Sequence, residues 1–191
     1  TQIDWADVEL SEIDAPVNLW MTEDAQKLLK CYNMVDYVTM PNPGQVWSYI
    51  GGWLYQAHLK EIEDNVPEQL RSYYNSCALR MSIALSSFGK DLKNEAGAMP
   101  IGAEANADAL GGKTHVIIRA RDMAACVQKL LGDPDYADGQ DTGYCSPQPG
   151  DIIVFAGKGH AGMCPGDNIS IGSFLTGPIW LINRATLKDA E

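Results

Sequence analysis

Residues 75–89 read NSCALRMSIALSSFG and carry the strongest helix signal in the chain. Asn75 or Ser76 suits the cap of a helix, and Gly89 suits its end. Between them, apolar side chains recur at helical spacing. The segment therefore predicts a helix over residues 76–88 that begins at a cysteine and packs one stripe on the core, formed by Cys77, Met81, Ala84, Leu85 and Phe88.

Upstream of this helix the chain is rich in helical patterns. Residues 22–37 carry apolar side chains at helical spacing after an acidic first turn. Residues 45–59 are apolar and contain the pair Gly51-Gly52, which either ends a helix or lets another backbone approach closely. Residues 60–74 are a polar connection with room for one helical turn after Pro67.

Downstream, short apolar runs alternate with glycine and proline, which is typical of strands. Residues 90–112 are a long glycine-rich loop, and residues 122–131 form a helix that Asp122 caps. Helices first and strands last predict an α+β domain with helices packed on one antiparallel sheet. The expected strands are residues 114–120, 151–156, 160–164, 169–174 and 178–183.

Length and composition indicate a single folded domain over residues 1–191, of which residues 1–20 form an acidic N-terminal arm. The net charge is −11 and no basic patch is visible, so a nucleic-acid partner is not expected. The chain has no run of about 18 apolar residues, so membrane insertion is not expected. The acidic start lacks the pattern of a signal peptide. The five cysteines form no CxxC pair, and we expect neither a metal nor another cofactor.

Cys77 is the candidate nucleophile because of its place at a helix start. The partial positive charge and unpaired N–H groups there stabilise a thiolate, which depresses the pKa of a cysteine. The same N–H groups can hold an oxyanion. An odd number of cysteines also leaves at least one thiol outside any disulfide. The competing interpretation is a small buried cysteine on an apolar helix face.

His160 is the candidate general base. It begins a predicted strand, and Gly159 and Gly162 leave room around its imidazole. A cysteine at a helix start facing a histidine at a strand start is the arrangement of papain-like enzymes. The other two histidines rank lower, since His115 lies within a predicted strand and His58 is expected at the surface.

A third residue should orient the imidazole. Asp167 is the only carboxylate directly downstream, and it is our candidate, although a turn aspartate would have the same sequence context. The alternatives in the same stretch are Asn168, Ser170 and Ser173.

Several motifs together resemble the fourth family of type VI secretion amidase effectors, over residues 45–182. They are WSYIGG at 47–52, NSCALRMSIAL at 75–85, HVIIRARDM at 115–123, GDIIVF at 150–155 and GH at 159–160. Members of that family are papain-like, NlpC-type cysteine peptidases. Bacteria inject them into the periplasm of rivals, where they cleave the peptidoglycan stem peptide between D-glutamate and meso-diaminopimelate.

The resemblance implies Cys77 as nucleophile, His160 as base, a peptidoglycan stem peptide as substrate and a cognate immunity protein as partner. The chain departs from the family in the segment NISIGSF at 168–174, which lacks the family's aspartate and cysteine pair. Cys164 would then bridge to Cys145 instead. Two other functions stay open. One is a different papain-like hydrolase or deamidase that acts on proteins, and the other is a non-enzymatic binding module with Cys77 in its core.

Overall fold

The computed structural model describes residues 23–136, 151–157, 159–165 and 178–182. Within these ranges the fold is α+β. The α-helices are α1 (Glu23–Asn33), α2 (Pro43–Ile50), α3 (Gly52–Glu63), α4 (Cys77–Phe88) and α5 (Ala120–Leu131). Short 3₁₀ helices lie at Glu68–Leu70 and Ala107–Leu110.

The strands of the described residues form two antiparallel sheets rather than the one that was predicted. A small sheet pairs β1 (Met99–Pro100) with β2 (His115–Val116). The larger sheet has the order β4-β3-β5. Its strands are β3 (Ile152–Ala156), β4 (Ala161–Pro165) and β5 (Ile179–Ile182).

Helix α4 occupies the centre of the protein, because every residue from 77 to 86 is buried. The predicted stripe is confirmed: it packs into the core formed with α1, α5 and the larger sheet. A second apolar face, which was not predicted, places Leu79 and Ile83 in another core with Trp47 and Ile50 of α2. A helix that is apolar on all sides is expected to be buried on all sides.

The strand predicted over residues 114–120 is wrong beyond Val116. The buried hydroxyl of Ser82 on α4 accepts a hydrogen bond from the Ile117 N–H and donates one to the Ile117 carbonyl, both at 2.8 Å. These two bonds satisfy the backbone groups that a strand would pair with a neighbouring strand. The chain then enters α5 at Ala120, with Arg119 rather than Asp122 at the N-cap.

The helix predicted over residues 22–37 ends early, at Asn33. The chain turns there because the carbonyls of Val35 and Met40 both accept hydrogen bonds from the buried guanidinium of Arg80. The Asp36 carboxylate stabilises the same turn by accepting from the N–H of Thr39 at 2.9 Å.

The Gly51-Gly52 pair does both of the things expected of it. It separates α2 from α3, with positive φ angles of 65° and 63°. It also meets another segment, because Gly51 bridges to Ala105 and a Cβ at Gly52 would lie 2.9 Å from the Ala105 Cβ. Residues 90–112, predicted as a loop, therefore include β1, a 3₁₀ helix and a packed contact with the helix pair.

Several predictions fall outside the described residues. These are the N-terminal arm at 1–20, the strand at 169–174, Cys145 and the four candidates for the third catalytic position. In the part of the chain that is described, no helix is long and apolar enough to cross a membrane.

Gly52→Ala is expected to lower the free energy of unfolding by roughly 2 kcal/mol, because the methyl group would overlap Ala105 and the positive φ strains an L-residue. Gly112→Ala is the control, since Gly112 has a φ of 86° but nothing within 4 Å of the added Cβ. Urea denaturation of both variants separates backbone strain from steric overlap. Equal losses in the two variants would contradict the role of the Ala105 contact.

Candidate active site

Cys77 is the first residue of α4 and is only 2% exposed. Ser76 holds the N-cap position without a side-chain capping bond. Asn75 supplies that bond instead: its Oδ1 accepts from the Cys77 N–H at 3.1 Å. Both predicted cap residues thus contribute to the start of the helix, one by position and one by its side chain.

The Cys77 thiol does not have the depressed pKa that its place at a helix start predicted. Burial raises its pKa above the ordinary value. Hydrogen bonds from the backbone of Ala161, Ala78 and Cys77 itself lower it in part, as does the charge of Arg80. Desolvation disfavours the thiolate more than the helix start favours it.

His160 directly precedes β4, and its carbonyl accepts from the Gly157 N–H at 2.9 Å. Its ring packs against Phe155, with the centroids 5.2 Å apart, and near Tyr37, with the centroids 6.1 Å apart. Much of the residue stays open to solvent. Partial burial of the ring nonetheless lowers the pKa of His160, and the positive charge of Arg80 lowers it further.

The two candidates lie on elements that meet. Helix α4 packs against β4, and Cys77 lies in the same buried core as Ala161, the residue after His160. This contact brings the start of α4 against the start of β4, as the predicted arrangement requires. Gly162 makes the approach close, since a Cβ there would lie 2.9 Å from the Tyr32 hydroxyl and 2.8 Å from the Phe155 ring. The space it provides is for those side chains rather than for the imidazole.

Sequence reasoning missed two residues of this site, Tyr37 and Arg80. The Arg80 Cζ lies 3.8 Å from the centroid of the Tyr37 ring, whose other neighbour is the His160 ring. A signal existed for Arg80, because it is the one charged residue in the otherwise apolar and small segment 77–88. No comparable signal marks Tyr37, which lies in a turn.

The other two histidines, His58 and His115, make packing and hydrogen-bond contacts of their own. His58, expected at the surface, is 4% exposed, so that prediction is wrong. Its ring stacks on Trp47 with 5.9 Å between centroids, and its Nδ1 lies 2.6 Å from the Tyr73 carbonyl oxygen. His115 is half-buried, and its Nδ1 lies 2.7 Å from the Thr114 hydroxyl.

The four candidates for a third catalytic residue, Asp167, Asn168, Ser170 and Ser173, lie outside the described residues and stay predictions. Across the described ranges, no three His, Cys, Asp or Glu side chains cluster as ligands of a metal ion.

No protein-family model matches the chain, and no curated protein sequence matches it. Solved structures do match. The type VI effector Tae4 from Enterobacter cloacae is 17% identical with a TM-score of 0.51, over 88% of this chain and 97% of that one. This chain has the fold of Tae4. The effector Tae4 from Salmonella typhimurium, solved in complex with the immunity protein Tai4 from Enterobacter cloacae, is 18% identical with a TM-score of 0.50, over 83% of this chain and 98% of that one.

Within this Tae4 fold, the described site consists of a buried thiol at a helix start, an imidazole at a strand start and a buried arginine beside them. Both pKa shifts favour neutral forms, because the pKa of the thiol is raised and that of the imidazole is lowered. At neutral pH the resting site therefore holds a thiol and a neutral imidazole rather than an ion pair.

The raised pKa of Cys77 predicts slow alkylation by iodoacetamide at pH 7, with a rate that climbs only as the pH passes the ordinary cysteine range near about 8.5. The thiolate is the reacting form, so a higher pKa leaves less of it at neutral pH. Mass spectrometry of the Cys77 peptide measures the rate, and the same peptide in urea-unfolded protein is the reference. A midpoint in the folded protein below that of the unfolded chain would contradict the expected shift.

Proposed function

We propose that this protein is a peptidoglycan amidase of the papain-like, NlpC type, used as an antibacterial type VI secretion effector. Cys77 acts as nucleophile and His160 as base, and the bond cleaved joins D-glutamate to meso-diaminopimelate in stem peptides. The observation that carries the proposal is the buried Cys77 thiol at the start of α4, a helix that packs against the strand directly after His160. The fold shared with Tae4 effectors and the motifs around Cys77 support the choice of substrate.

The first chemical step is attack of the Cys77 sulfur on the amide carbonyl carbon. Since the resting pair is neutral, His160 takes the thiol proton as the sulfur–carbon bond forms. The Ala78 N–H is one of the N–H groups at the start of α4, and in this proposal it stabilises the negative charge that develops on the carbonyl oxygen. The Cys77 N–H can join it once Asn75, an exposed residue, rotates its side chain away.

The intermediate then collapses: the carbon–nitrogen bond breaks and His160 returns the proton to the leaving amine. A water molecule attacks the resulting thioester, His160 accepts its proton, and the Cys77 thiol is regenerated as the new carboxylate leaves. Asp167, or one of Asn168, Ser170 and Ser173, holds the imidazole tautomer that both steps need.

The proposal includes a cognate immunity protein and action in the periplasm of target bacteria. Tae4 from Salmonella typhimurium was solved with the immunity protein Tai4 bound, which supports a partner of that kind. The turn beside His160 presents apolar side chains to which an immunity protein can bind: Met34, Tyr37 and Val38 are 63%, 42% and 89% exposed. Exposed apolar surface of this kind is where partner proteins commonly bind.

One observation favours a second candidate function, a binding module without catalysis. Cys77 is buried to 2% exposure, and its pKa is raised, as for a cysteine that only fills the core. Such a protein would bind sacculi or a partner and leave every covalent bond intact.

The variants Cys77→Ala and His160→Ala distinguish the amidase from the binding module. Purified meso-diaminopimelate sacculi are digested with each variant, and the released fragments are identified by mass spectrometry. We expect Cys77→Ala to abolish new D-glutamate termini and His160→Ala to slow their release by roughly 10²–10⁴-fold, because general base catalysis contributes that much.

Cys31→Ala and His115→Gln are the matched controls, since they remove the same residue types from half-buried positions and should cleave at the wild-type rate. Release of fragments by Cys77→Ala at the wild-type rate would exclude the amidase. Absence of cleavage by the wild type, with retained binding to sacculi, would favour the binding module.

A further inference from the structure

Arg80 lies one helical turn after Cys77 and is fully buried. Its Nε donates to the Ser76 hydroxyl at 2.8 Å, and its Nη1 donates to the carbonyls of Val35 and Met40 at 2.8 and 2.7 Å. These partners within the described residues are neutral oxygens. A guanidinium without a close carboxylate is expensive to bury, so gain in stability is a poor account of its presence.

The remaining nitrogen, Nη2, has no hydrogen-bond partner in the described part of the chain. The guanidinium instead lies over the Tyr37 ring, 3.8 Å from its centroid. The negative face of an aromatic ring attracts a cation, most strongly where water is excluded. Arg80 thereby holds Tyr37 in the place where its ring meets that of His160.

The hydrogen bonds of Arg80 join three parts of the site. Ser76 is the N-cap of the helix that carries the nucleophile, whereas Val35 and Met40 delimit the turn that carries Tyr37. The Arg80 side chain thus fixes the turn that carries Tyr37, beside His160, relative to the start of α4.

Charged and titratable groups face this site from several elements. Tyr32 comes from α1, Asp36 and Tyr37 from the following turn, Cys77 from α4 and His160 from the start of β4. The Asp36 Oδ1 is occupied by the N–H groups of its own turn. Arg80 is the permanent cation among them, and its charge lowers the pKa of both Cys77 and His160.

We propose that Arg80 is a positioning residue for the Cys77–His160 pair. It clamps the Tyr37 turn to the start of α4, and its buried charge favours a thiolate at Cys77 while it disfavours an imidazolium at His160. The catalytic consequence rests on the proposed function, but the reactivity of the thiol can be measured without any wall substrate.

The charge serves both halves of the proposed reaction. A fixed cation close to the sulfur stabilises the negative charge that develops on attack. The same cation makes His160 a weaker base towards the thiol proton but, once protonated, a stronger acid that gives its proton more readily to the leaving amine. Loss of Arg80 should therefore lower kcat more than it raises KM.

The test measures the pH dependence of Cys77 alkylation by iodoacetamide in the full chain. Arg80→Met is expected to move the midpoint up by about one pH unit, which slows alkylation at pH 7 about tenfold. Arg80→Lys keeps the charge and should stay closer to the wild type than Arg80→Met does. Arg71→Met is the matched control, since Arg71 also donates to a carbonyl, that of Val66, and lies over a tyrosine, Tyr74.

Tyr37 gives a second variant pair in case Arg80→Met fails to fold, because Tyr37 is 42% exposed and its removal leaves the core intact. Tyr37→Ala exposes the His160 ring, so the imidazole should titrate at a higher pH, closer to an ordinary histidine. Tyr37→Phe keeps the ring and removes only the hydroxyl, which interacts with Ser76 and Arg80, so it should titrate closer to the wild type than Tyr37→Ala does. Proton NMR of the imidazole follows both titrations.

An unchanged alkylation profile in folded Arg80→Met, or the same imidazole titration in Tyr37→Ala as in the wild type, overturns the inference. A shift in Arg71→Met equal to that in Arg80→Met also overturns it, because the effect would then be general. If the expected shifts occur but no form of the protein digests sacculi, the positioning role stands and the amidase proposal fails.

Discussion

The burial of α4 on every side is the constraint on which the rest of the structure depends. Residues 77–86 are almost completely buried, so a polar group there can find a hydrogen-bond partner only inside the protein. Leaving a buried donor or acceptor unpaired costs about 1–3 kcal/mol. The polar side chains of the helix therefore form hydrogen bonds with other segments of the chain, which pack against it.

Two of these attachments shape the site. Arg80 pulls the turn after α1 against the helix, which ends α1 at Asn33 and places Tyr37 beside His160. The Ser82 hydroxyl hydrogen-bonds to both the N–H and the carbonyl of Ile117. Because these groups are no longer available to a neighbouring strand, β2 ends at Val116 and α5 begins at Ala120. The hydrogen bonds that satisfy the buried helix thus shape the site. They bring Tyr37, from a segment more than 35 residues before Cys77, to the His160 ring that also packs on Phe155.

Burial also sets the electrostatics of the nucleophile. The same packing that makes Cys77 part of the core removes water from its thiol, so the helix start cannot by itself produce a thiolate. With both groups neutral at rest, the proposed reaction needs His160 to take the thiol proton as Cys77 attacks. Burial also makes the positive charge of Arg80, the permanent cation among the described groups near the sulfur, more influential than it would be in water.

The sequence by itself determined the elements whose signals are local: the helix over residues 76–88, its apolar stripe, the separation at Gly51-Gly52 and the short strands β3, β4 and β5. Helix periodicity, caps and glycine conformations act over a few residues and can be read directly. Only the tertiary structure decided the end of α1 at Asn33, the short β2, the buried place of His58 and the roles of Tyr37 and Arg80. Each of these depends on hydrogen bonds or desolvation between segments far apart in the chain, and no local pattern encodes which distant carbonyl or ring a buried polar group will meet.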